Sequence, residues 1–149
     1  MIALTGVFTF GTSPASAAAP KPVQVDLAFY QFVHGQTGKC LEGSVSVGIR
    51  LGTCATDNSY QLYLFEPAGW STLASPHEYC VEAAASVGVR PGTCTPDNRY
   101  QQWRYYPATA QLQHLQSLLC LEASASVGVR LGTCSPSNAN NTYQQWYLN

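Results

Sequence analysis

A threefold internal repeat constrains this chain more strongly than any other feature of its sequence. The six cysteines form three pairs, and both the spacing within a pair and the interval between pairs are constant along the chain. From Cys80 to Asn98, the second copy matches the third at 14 of 19 positions. The repeat period of about 40 residues indicates similar units that bury a shared core by packing together.

The cysteine spacing predicts one disulfide within each copy. Many pairings are possible for six cysteines, and the repeat symmetry favours Cys40–Cys54, Cys80–Cys94 and Cys120–Cys134. The alternative is metal binding, but structural zinc sites place their cysteines about two to four residues apart, with histidines nearby. That pattern is absent from the sequence, so we expect disulfides, no metal and no cofactor.

The N-terminal residues are typical of a secretory signal. Met1–Phe10 is mostly apolar, and Ala15-Ser16-Ala17 has the small-x-small pattern of a signal-peptidase site. We predict a signal peptide over residues 1–17, a linker over 18–27 and a secreted, extracellular domain. The basic residues that open such signals are missing. Two alternatives therefore stay open, a start codon farther upstream and a disordered leader rich in Ala, Pro and Ser.

The charge content excludes several classes of partner. The 149 residues include only seven Lys or Arg and eight Asp or Glu, for a net charge of −1. Nucleic-acid binding and polybasic membrane anchoring both need clustered cations. No apolar run approaches the roughly 18 residues of a spanning helix, so no membrane insertion is expected. A hydrophobic content of 46% can bury a core, and the length predicts one domain.

Each copy is predicted to contain about four short strands and no helix. Val47, Ile49 and Leu51 alternate with small or polar residues, the period-two pattern of a half-buried strand, and the other copies repeat it. Leu41-Glu42, the Gln-x-Trp segment and the stretches over 30–34 and 111–115 make the other strands. Pro91 is expected to weaken its strand locally. Three such units predict a closed all-β architecture with pseudo-threefold symmetry.

These motifs together resemble a known family. Cys-Leu-Glu, a second cysteine at the fixed spacing and then Gln-x-Trp, in three tandem copies, look like the ricin B-type (R-type) lectin β-trefoil. The nearest likeness is its compact secreted bacterial form, similar to carbohydrate-binding module family 13. The resemblance covers residues 28–149 and implies three lobes, named α, β and γ, over about 28–65, 66–105 and 106–149. The first copy departs from the motif with Tyr63 in place of Trp.

The resemblance implies a shallow sugar pocket in each lobe. The family's sugar-binding acid, usually Asp, corresponds here to a glutamate two positions after the first cysteine, and an arginine stands on the paired strand. An asparagine, a tyrosine and the motif glutamine complete each candidate carbohydrate site. The candidates are Glu42, Arg50, Asn58, Tyr60 and Gln61; Glu82, Arg90, Asn98, Tyr100 and Gln101; and Glu122, Arg130, Asn141, Tyr143 and Gln144, with Asn138 as the alternative to Asn141.

Two departures from the family pattern put this assignment in competition with other interpretations. Where family members often have an aromatic platform, this chain has Gly52, Gly92 and Gly132, and where the family has Asn immediately before Gln-x-Trp, it has Tyr60, Tyr100 and Tyr143. The tyrosines are the expected replacement for the platform, and the nearby asparagines for the family's Asn. The Glu and Arg residues also suit a structural cross-strand ion pair, which does not exclude ligand contact. The motif glutamine suits both a ligand contact and a tie between strand and turn. The third copy, which has a full Gln-x-Trp and no strand proline, is expected to bind best.

The remaining aromatic and histidine positions favour structural roles. Trp103, Trp146 and Tyr63 are predicted to lie in the core. His34 and His114 are two periods apart, with Ala74 between them, which favours a strand position over a catalytic base. The sequence offers no catalytic residue, so we expect a non-catalytic lectin that binds glycans or polysaccharide. The alternatives are a trefoil that has lost sugar binding and acts on a protein, and a module detached from a longer enzyme.

Overall fold

The computed structural model describes residues 27–136 and 141–149. The predicted signal peptide, all of the predicted linker except Leu27, and Asn138 lie outside these ranges. The described residues form thirteen short strands. In chain order they are β1 Ala28–Tyr30, β2 Phe32–His34, β3 Cys40–Ser44, β4 Gly48–Gly52, β5 Tyr63–Phe65, β6 Trp70–Thr72, β7 Cys80–Ala84, β8 Gly88–Gly92, β9 Gln102–Tyr106, β10 Gln111–His114, β11 Cys120–Ser124, β12 Gly128–Gly132 and β13 Trp146–Leu148.

The strands reproduce the threefold repeat in space. Each copy contributes one antiparallel hairpin, β3–β4, β7–β8 or β11–β12, and β4, β8 and β12 contact one another. Of the remaining strands, β1 pairs with β5 and β6 with β9 inside one copy. The pair β9–β10 joins the second copy to the third, and β13 pairs with β2 to close the chain on itself. Gln31 and Asn149 exchange backbone hydrogen bonds of 2.9 and 3.0 Å beside that pair. The predicted all-β trefoil architecture is confirmed.

The three disulfides join the residues predicted from the repeat. Cys40–Cys54, Cys80–Cys94 and Cys120–Cys134 each connect the start of a hairpin to the loop that follows it. Each closes a loop of about 15 residues, which in the chain-entropy view stabilises the fold by roughly 3 kcal/mol. Each loop between the second cysteine and Gln-x-Trp is therefore anchored at its beginning.

The motif aromatics lie in the core, as predicted. Trp103 and Trp146 are fully buried, and their indole Nε1–H groups donate to the carbonyls of Val81 and Leu121, both at 2.9 Å. Each bond connects the end of one copy's Gln-x-Trp to the middle of that copy's own hairpin. A buried indole needs such a partner, because an unpaired N–H in the core is costly.

The first copy replaces this arrangement with a different one. Tyr63 is fully buried, and its hydroxyl has no partner among the described residues. The adjacent hairpin carries Gly43 where the other copies carry Ala83 and Ala123. Tyr79 fills the space, donating its hydroxyl proton to the Gly43 carbonyl at 2.6 Å. The glycine at position 43 therefore leaves room for a second tyrosine ring, that of Tyr79. The two tyrosines together explain how this copy tolerates the loss of Trp.

Two details of the predicted secondary structure are wrong. Val47, Val87 and Val127 are exposed and lie in the hairpin turns, because the strands begin one residue later at glycines with φ of +73 to +80°, which position the turn. The motif glutamines do not lie in strands but end three single-turn 3₁₀ helices, at Ser59–Gln61, Arg99–Gln101 and Thr142–Gln144. Within the described ranges, no helix is long and apolar enough to cross a membrane.

Gly43→Ala is expected to destabilise the protein although its two counterparts are alanines. An added Cβ would lie 2.5 Å from Ile49 Cδ1 and 2.8 Å from the Tyr79 hydroxyl oxygen, and overpacking of this kind costs about 1–3 kcal/mol. Urea unfolding followed by tryptophan fluorescence measures the change. Gly69→Ala is the matched control, since nothing lies within 4 Å of its Cβ position. An unchanged unfolding midpoint for Gly43→Ala would contradict this account of the first copy.

Candidate functional site

Each hairpin carries one carboxylate paired with one guanidinium. The antiparallel register places Glu42 opposite Arg50, Glu82 opposite Arg90 and Glu122 opposite Arg130. The nitrogen–oxygen distances are 2.6, 2.7 and 2.6 Å. The cross-strand ion pair considered as the structural interpretation is therefore present three times. The arginine is the exposed partner, because the Arg50 side chain is 57% exposed and that of Glu42 only 13%.

A buried glutamine holds each carboxylate from below. Gln61, Gln101 and Gln144 donate from Nε2 to the Oε2 atoms of the hairpin glutamates at 2.9, 3.1 and 3.0 Å. These three side chains are almost completely buried. The sequence left two roles open for these glutamines, a ligand contact and a link between strand and turn. Their burial and their hydrogen bonds match the link between strand and turn.

The same amides also fix the loop after the second cysteine. In the first copy, Gln61 Nε2 donates to the Thr53 carbonyl at 2.8 Å, and its Oε1 accepts from the Ala55 amide at 3.0 Å. The other two copies repeat both bonds. One side chain thus connects the 3₁₀ turn, the disulfide loop and the hairpin carboxylate, and it determines where that carboxylate stands.

The asparagines distinguish the copies. Asn58 and Asn98 cap the 3₁₀ turns by accepting from the amides of Tyr60 and Tyr100, both at 3.1 Å. Asn58 also donates from Nδ2 to Glu42 Oε2 at 3.0 Å. Asn141 makes no cap bond and donates instead to Ser135 Oγ at 2.6 Å. The third copy carries three additional residues before this turn, and its asparagine adopts a different role.

The three carboxylates consequently differ in how many protein donors they accept. Glu42 accepts four hydrogen bonds, two from Arg50 and one each from Asn58 and Gln61. From the described residues, Glu82 accepts three and Glu122 two. Since a carboxylate offers about four acceptor positions, Glu42 is saturated, whereas the described residues leave acceptor positions open on Glu122.

The pKa of Glu42 reflects this saturation. Desolvation acts to raise the pKa, but hydrogen bonds from Gln61, Arg50 and Asn58, together with the positive charge of Arg50, outweigh it and hold the pKa below 4.5. Each of these contacts favours the charged form over the neutral one. Glu42 therefore stays ionised at any pH near neutrality.

The glutamate in place of the family's Asp and the glycine in place of its aromatic platform have one physical cause. A Cβ added at Gly52 or Gly132 would collide with Oε2 of Glu42 or Glu122, and one at Gly92 would lie 2.8 Å from Glu82 Oε2. The carboxylate of the longer acid occupies the space above the glycine, so no side chain fits there. The glutamate and the missing aromatic platform are thus one coupled change, which neither position reveals by itself.

Exposed tyrosines and hairpin turns complete two clefts. The third-copy cleft has a volume of about 720 Å³, and Glu122, Arg130, Asn141 and Tyr143 line it. The first-copy cleft of about 460 Å³ is lined by Glu42, Arg50, Asn58 and Tyr60. The structure therefore brings the predicted glutamate, arginine, asparagine and tyrosine together at both places. The glutamines lie beneath them.

Sequence reasoning missed further residues of these clefts. Ser44, Ser46 and Val47 line the first cleft, and Ser124, Ser126 and Val127 line the third. The third cleft also includes Gln36 and Thr37 from the first copy. The recurrence of serine and valine in the repeat was a usable signal for the turn residues. No sequence signal predicts the contribution of Gln36 and Thr37, because it depends on how the copies pack.

Two buried histidines connect neighbouring copies behind the tyrosines. His34 Nε2 lies 3.0 Å from the Tyr143 carbonyl oxygen, and its Nδ1 lies 3.0 Å from Thr37 Oγ1. His114 makes the equivalent contacts to the Tyr100 carbonyl and Ser117 Oγ, at 3.0 and 2.9 Å. The structural role predicted for both agrees with their burial. A carbonyl oxygen only accepts hydrogen bonds, so Nε2 carries the donated proton in each ring.

The middle copy lacks this buried ring and uses an exposed one. Ala74 takes the position of the histidine. His77 instead stacks on the ring of Tyr60, with 4.1 Å between ring centroids and 10° between planes, and its Nε2 lies 2.9 Å from Ser59 Oγ. Tyr60 is thus held through its ring, whereas Tyr100 and Tyr143 are held through their carbonyls. One ring face of Tyr60 is covered as a result.

The sequence profile of a known family matches most of the chain. The ricin-type beta-trefoil lectin domain aligns with residues 28–146. A search of curated protein sequences found no match.

Solved structures with a similar fold include a designed protein that this chain covers almost completely and longer proteins that it covers in part. A designed 3-fold symmetric protein, ThreeFoil, is 19% identical with a TM-score of 0.64, and the match covers 80% of this chain and 96% of that one. A non-toxic homologue of type II RIPs from bitter gourd (Momordica charantia), in complex with α-methyl-D-galactoside, is 13% identical with a TM-score of 0.66 over 82% of this chain and 48% of that one.

A third neighbour shows the fold as a small part of a longer protein. The GlcNAcα1-4Gal releasing endo-β-galactosidase from Clostridium perfringens is 15% identical, with a TM-score of 0.67 over 80% of this chain. The chain spans 31% of that protein and 48% of the bitter gourd homologue. At these identities the likeness establishes the fold alone.

The buried histidines are expected to make stability fall as the pH drops below about 6.5. Burial lowers the pKa of both His34 and His114, against the opposing effect of their carbonyl hydrogen bonds. The unfolded chain therefore binds protons from the unperturbed value of 6.5 downward, while the folded chain stays neutral until a lower pH. The urea concentration at the unfolding midpoint, measured between pH 7.5 and 5, tests this. The range lies above the pH at which carboxylates titrate.

The double variant His34→Gln and His114→Gln isolates the effect, because glutamine offers a donor and an acceptor without titrating. We expect its midpoint to change less over the same pH range. An equal pH dependence of the midpoint in both proteins would assign the loss of stability to titratable groups other than these two histidines.

Gly132→Ala is expected to displace the Glu122 carboxylate and to lose its bonds to Arg130 and Gln144, at a cost of roughly 1–3 kcal/mol. In a Glu122→Ala background, the same change should cost much less, since the colliding atoms are Oε2, Cδ and Oε1 of Glu122. Unfolding free energies of the four proteins form a double-mutant cycle. A coupling energy near zero would disprove the explanation given for the glycine.

Proposed function

The chain belongs to the ricin-type β-trefoil lectin family, and on that premise we propose that it is a secreted, non-catalytic carbohydrate-binding module. Its ligands are glycans or polysaccharide, bound in up to three shallow sites, one in each copy. Secretion is supported by three disulfides, a bond type that persists in oxidising compartments outside the cytosol.

The observation that carries the proposal is the third-copy cleft. Tyr143, 46% exposed, lines the same cleft as Glu122. A sugar ring has an apolar face and a polar rim of hydroxyls, so it needs a flat apolar surface beside hydrogen-bonding groups. Tyr143 and Val127 offer apolar surface, and Glu122, Asn141 and Arg130 offer acceptors and donors. A protein trefoil that had lost sugar binding would have no reason to retain this combination.

The acceptor positions that the described residues leave open on Glu122 favour this cleft as the principal site. Among those residues, two donors reach its carboxylate, at 2.6 and 3.0 Å, and further acceptor positions suit vicinal sugar hydroxyls. The bitter gourd homologue is in complex with α-methyl-D-galactoside, so galactosides are the first sugars to test. Weak single sites on one polysaccharide would gain strength through avidity.

The carboxylates do not suit glycoside hydrolysis. That reaction needs two carboxyl groups within about 5–9.5 Å of each other around one bond. Here Glu42, Glu82 and Glu122 stand on three separate hairpins, each neutralised by its own arginine. The endo-β-galactosidase neighbour contains the fold as a part of a longer chain, which agrees with a targeting role for it.

Glu122→Ala is expected to lower the affinity for the preferred neutral saccharide by at least about tenfold, because hydrogen bonds to a charged acceptor contribute about 1.5–3 kcal/mol. A glycan array and an insoluble-polysaccharide pull-down, with competition by galactose, mannose and xylose, identify the sugar. Calorimetric titration then compares the variants.

Glu66→Ala is the control, since it removes one carboxylate that lines neither cleft, and it should bind as the parent does. If the protein is retained on no sugar, the lectin function is excluded and the protein-binding alternative remains. If Glu122→Ala binds sugar as tightly as the parent does, the sugar site does not lie in the third copy.

A further inference from the structure

The first-copy cleft differs from the third in what it offers to a ligand. All four acceptor positions of Glu42 are taken by Arg50, Asn58 and Gln61. A sugar hydroxyl therefore finds no free acceptor on this carboxylate unless it displaces a protein donor. The proposed function relies on sugar recognition by the carboxylate of Glu122 in the third copy. The equivalent recognition by Glu42 is blocked in the first copy.

The arginine is the group that this cleft presents instead. Arg50 uses two of its five N–H groups on Glu42 Oε1, at 2.9 and 2.6 Å, and its side chain is 57% exposed. Three N–H groups thus remain for a ligand, in the planar fork that matches an oxyanion. Glu42 and Arg50 are the charged residues of the cleft lining. The carboxylate is compensated by its four donors, and the guanidinium lies on the solvent side of it.

We propose that the first-copy cleft binds the oxyanion group of an acidic saccharide, with Arg50 as the cation that grips it. This inference rests on the proposed carbohydrate-binding function and names a distinct ligand class for one of its clefts. The oxyanion is a uronate carboxylate or a sulfate ester, which present the same chemistry to a guanidinium.

The asparagine explains why the first copy is suited to this ligand and the others less so. Asn58 Nδ2 supplies the fourth bond to Glu42, whereas Asn141, the described asparagine of the third copy, bonds Ser135 instead of Glu122. Counted over the described residues, Glu82 and Glu122 thus retain acceptor lone pairs that repel an approaching anion. The hydroxyl-rich lining of the first cleft, Ser44, Ser46 and Tyr60, supplies neutral donors beside the guanidinium.

The test compares three oligosaccharides of equal length by calorimetric titration of the full chain: an oligogalacturonate, a sulfated galacto-oligosaccharide and a neutral galacto-oligosaccharide. Arg50→Gln is expected to lower the affinity for an acidic ligand at least about tenfold, and to lower it more than the affinity for the neutral ligand. Raising the salt concentration should weaken acidic binding selectively. The two acidic ligands distinguish carboxylate from sulfate as the source of the oxyanion.

Arg104→Gln is the matched control, because it removes an exposed cation that lies 5.3 Å over the Tyr106 ring and outside the cleft. Asn58→Ser retains a capping oxygen for the 3₁₀ turn but removes the fourth donor to Glu42, and it should also weaken acidic binding. Binding of both acidic ligands no tighter than the neutral one, or equal acidic binding by Arg50→Gln and the parent, would overturn the proposal.

The failure of this inference is distinguishable from the failure of the proposed function. Neutral binding that depends on Glu122 with no acidic preference would disprove only the role of Arg50. Acidic binding that depends on Arg50 without any neutral binding would support the first-copy site and disprove the third-copy one.

Discussion

The buried glutamine of each copy is the interaction on which the rest of the structure depends. Gln61, Gln101 and Gln144 each connect a 3₁₀ turn to the disulfide loop and to the hairpin carboxylate through hydrogen bonds of 2.7 to 3.1 Å. A buried amide that leaves a donor or an acceptor unpaired destabilises the fold. Each glutamine therefore needs all of these bonds together. The glutamate is held at the surface in one orientation, and the candidate site inherits its geometry from a core residue.

Repeat proteins diverge by changing a few residues within a common scaffold, and this chain shows three such changes. The first copy exchanges Trp and Ala for Tyr63 and Gly43, with Tyr79 filling the gap. The second moves its histidine from the core to the surface, where His77 stacks on Tyr60. The third turns Asn141 away from the carboxylate. Each change leaves the backbone pairing intact, so copies of one origin differ in their side-chain contacts while they share one scaffold.

The fold was predictable from the sequence because a short, regular repeat with one cysteine pair in each copy admits few architectures. The strand assignments failed where a single residue decided the local geometry. Val47 alternates correctly for a strand but lies before Gly48, whose positive φ ends the turn. The site could be predicted only as a set of residue types. Over the described residues, Glu42 accepts one bond from an asparagine and one more bond from its arginine than Glu122 does, and the residue types alone do not encode either bond.

Each disulfide closes within its own copy, whereas the copies join one another through strand pairing and core packing, as β13 does with β2. No covalent crosslink among the described residues spans two copies. The ring of three units is therefore closed by noncovalent contacts alone within the described residues, and separating β13 from β2 would break no sulfur–sulfur bond.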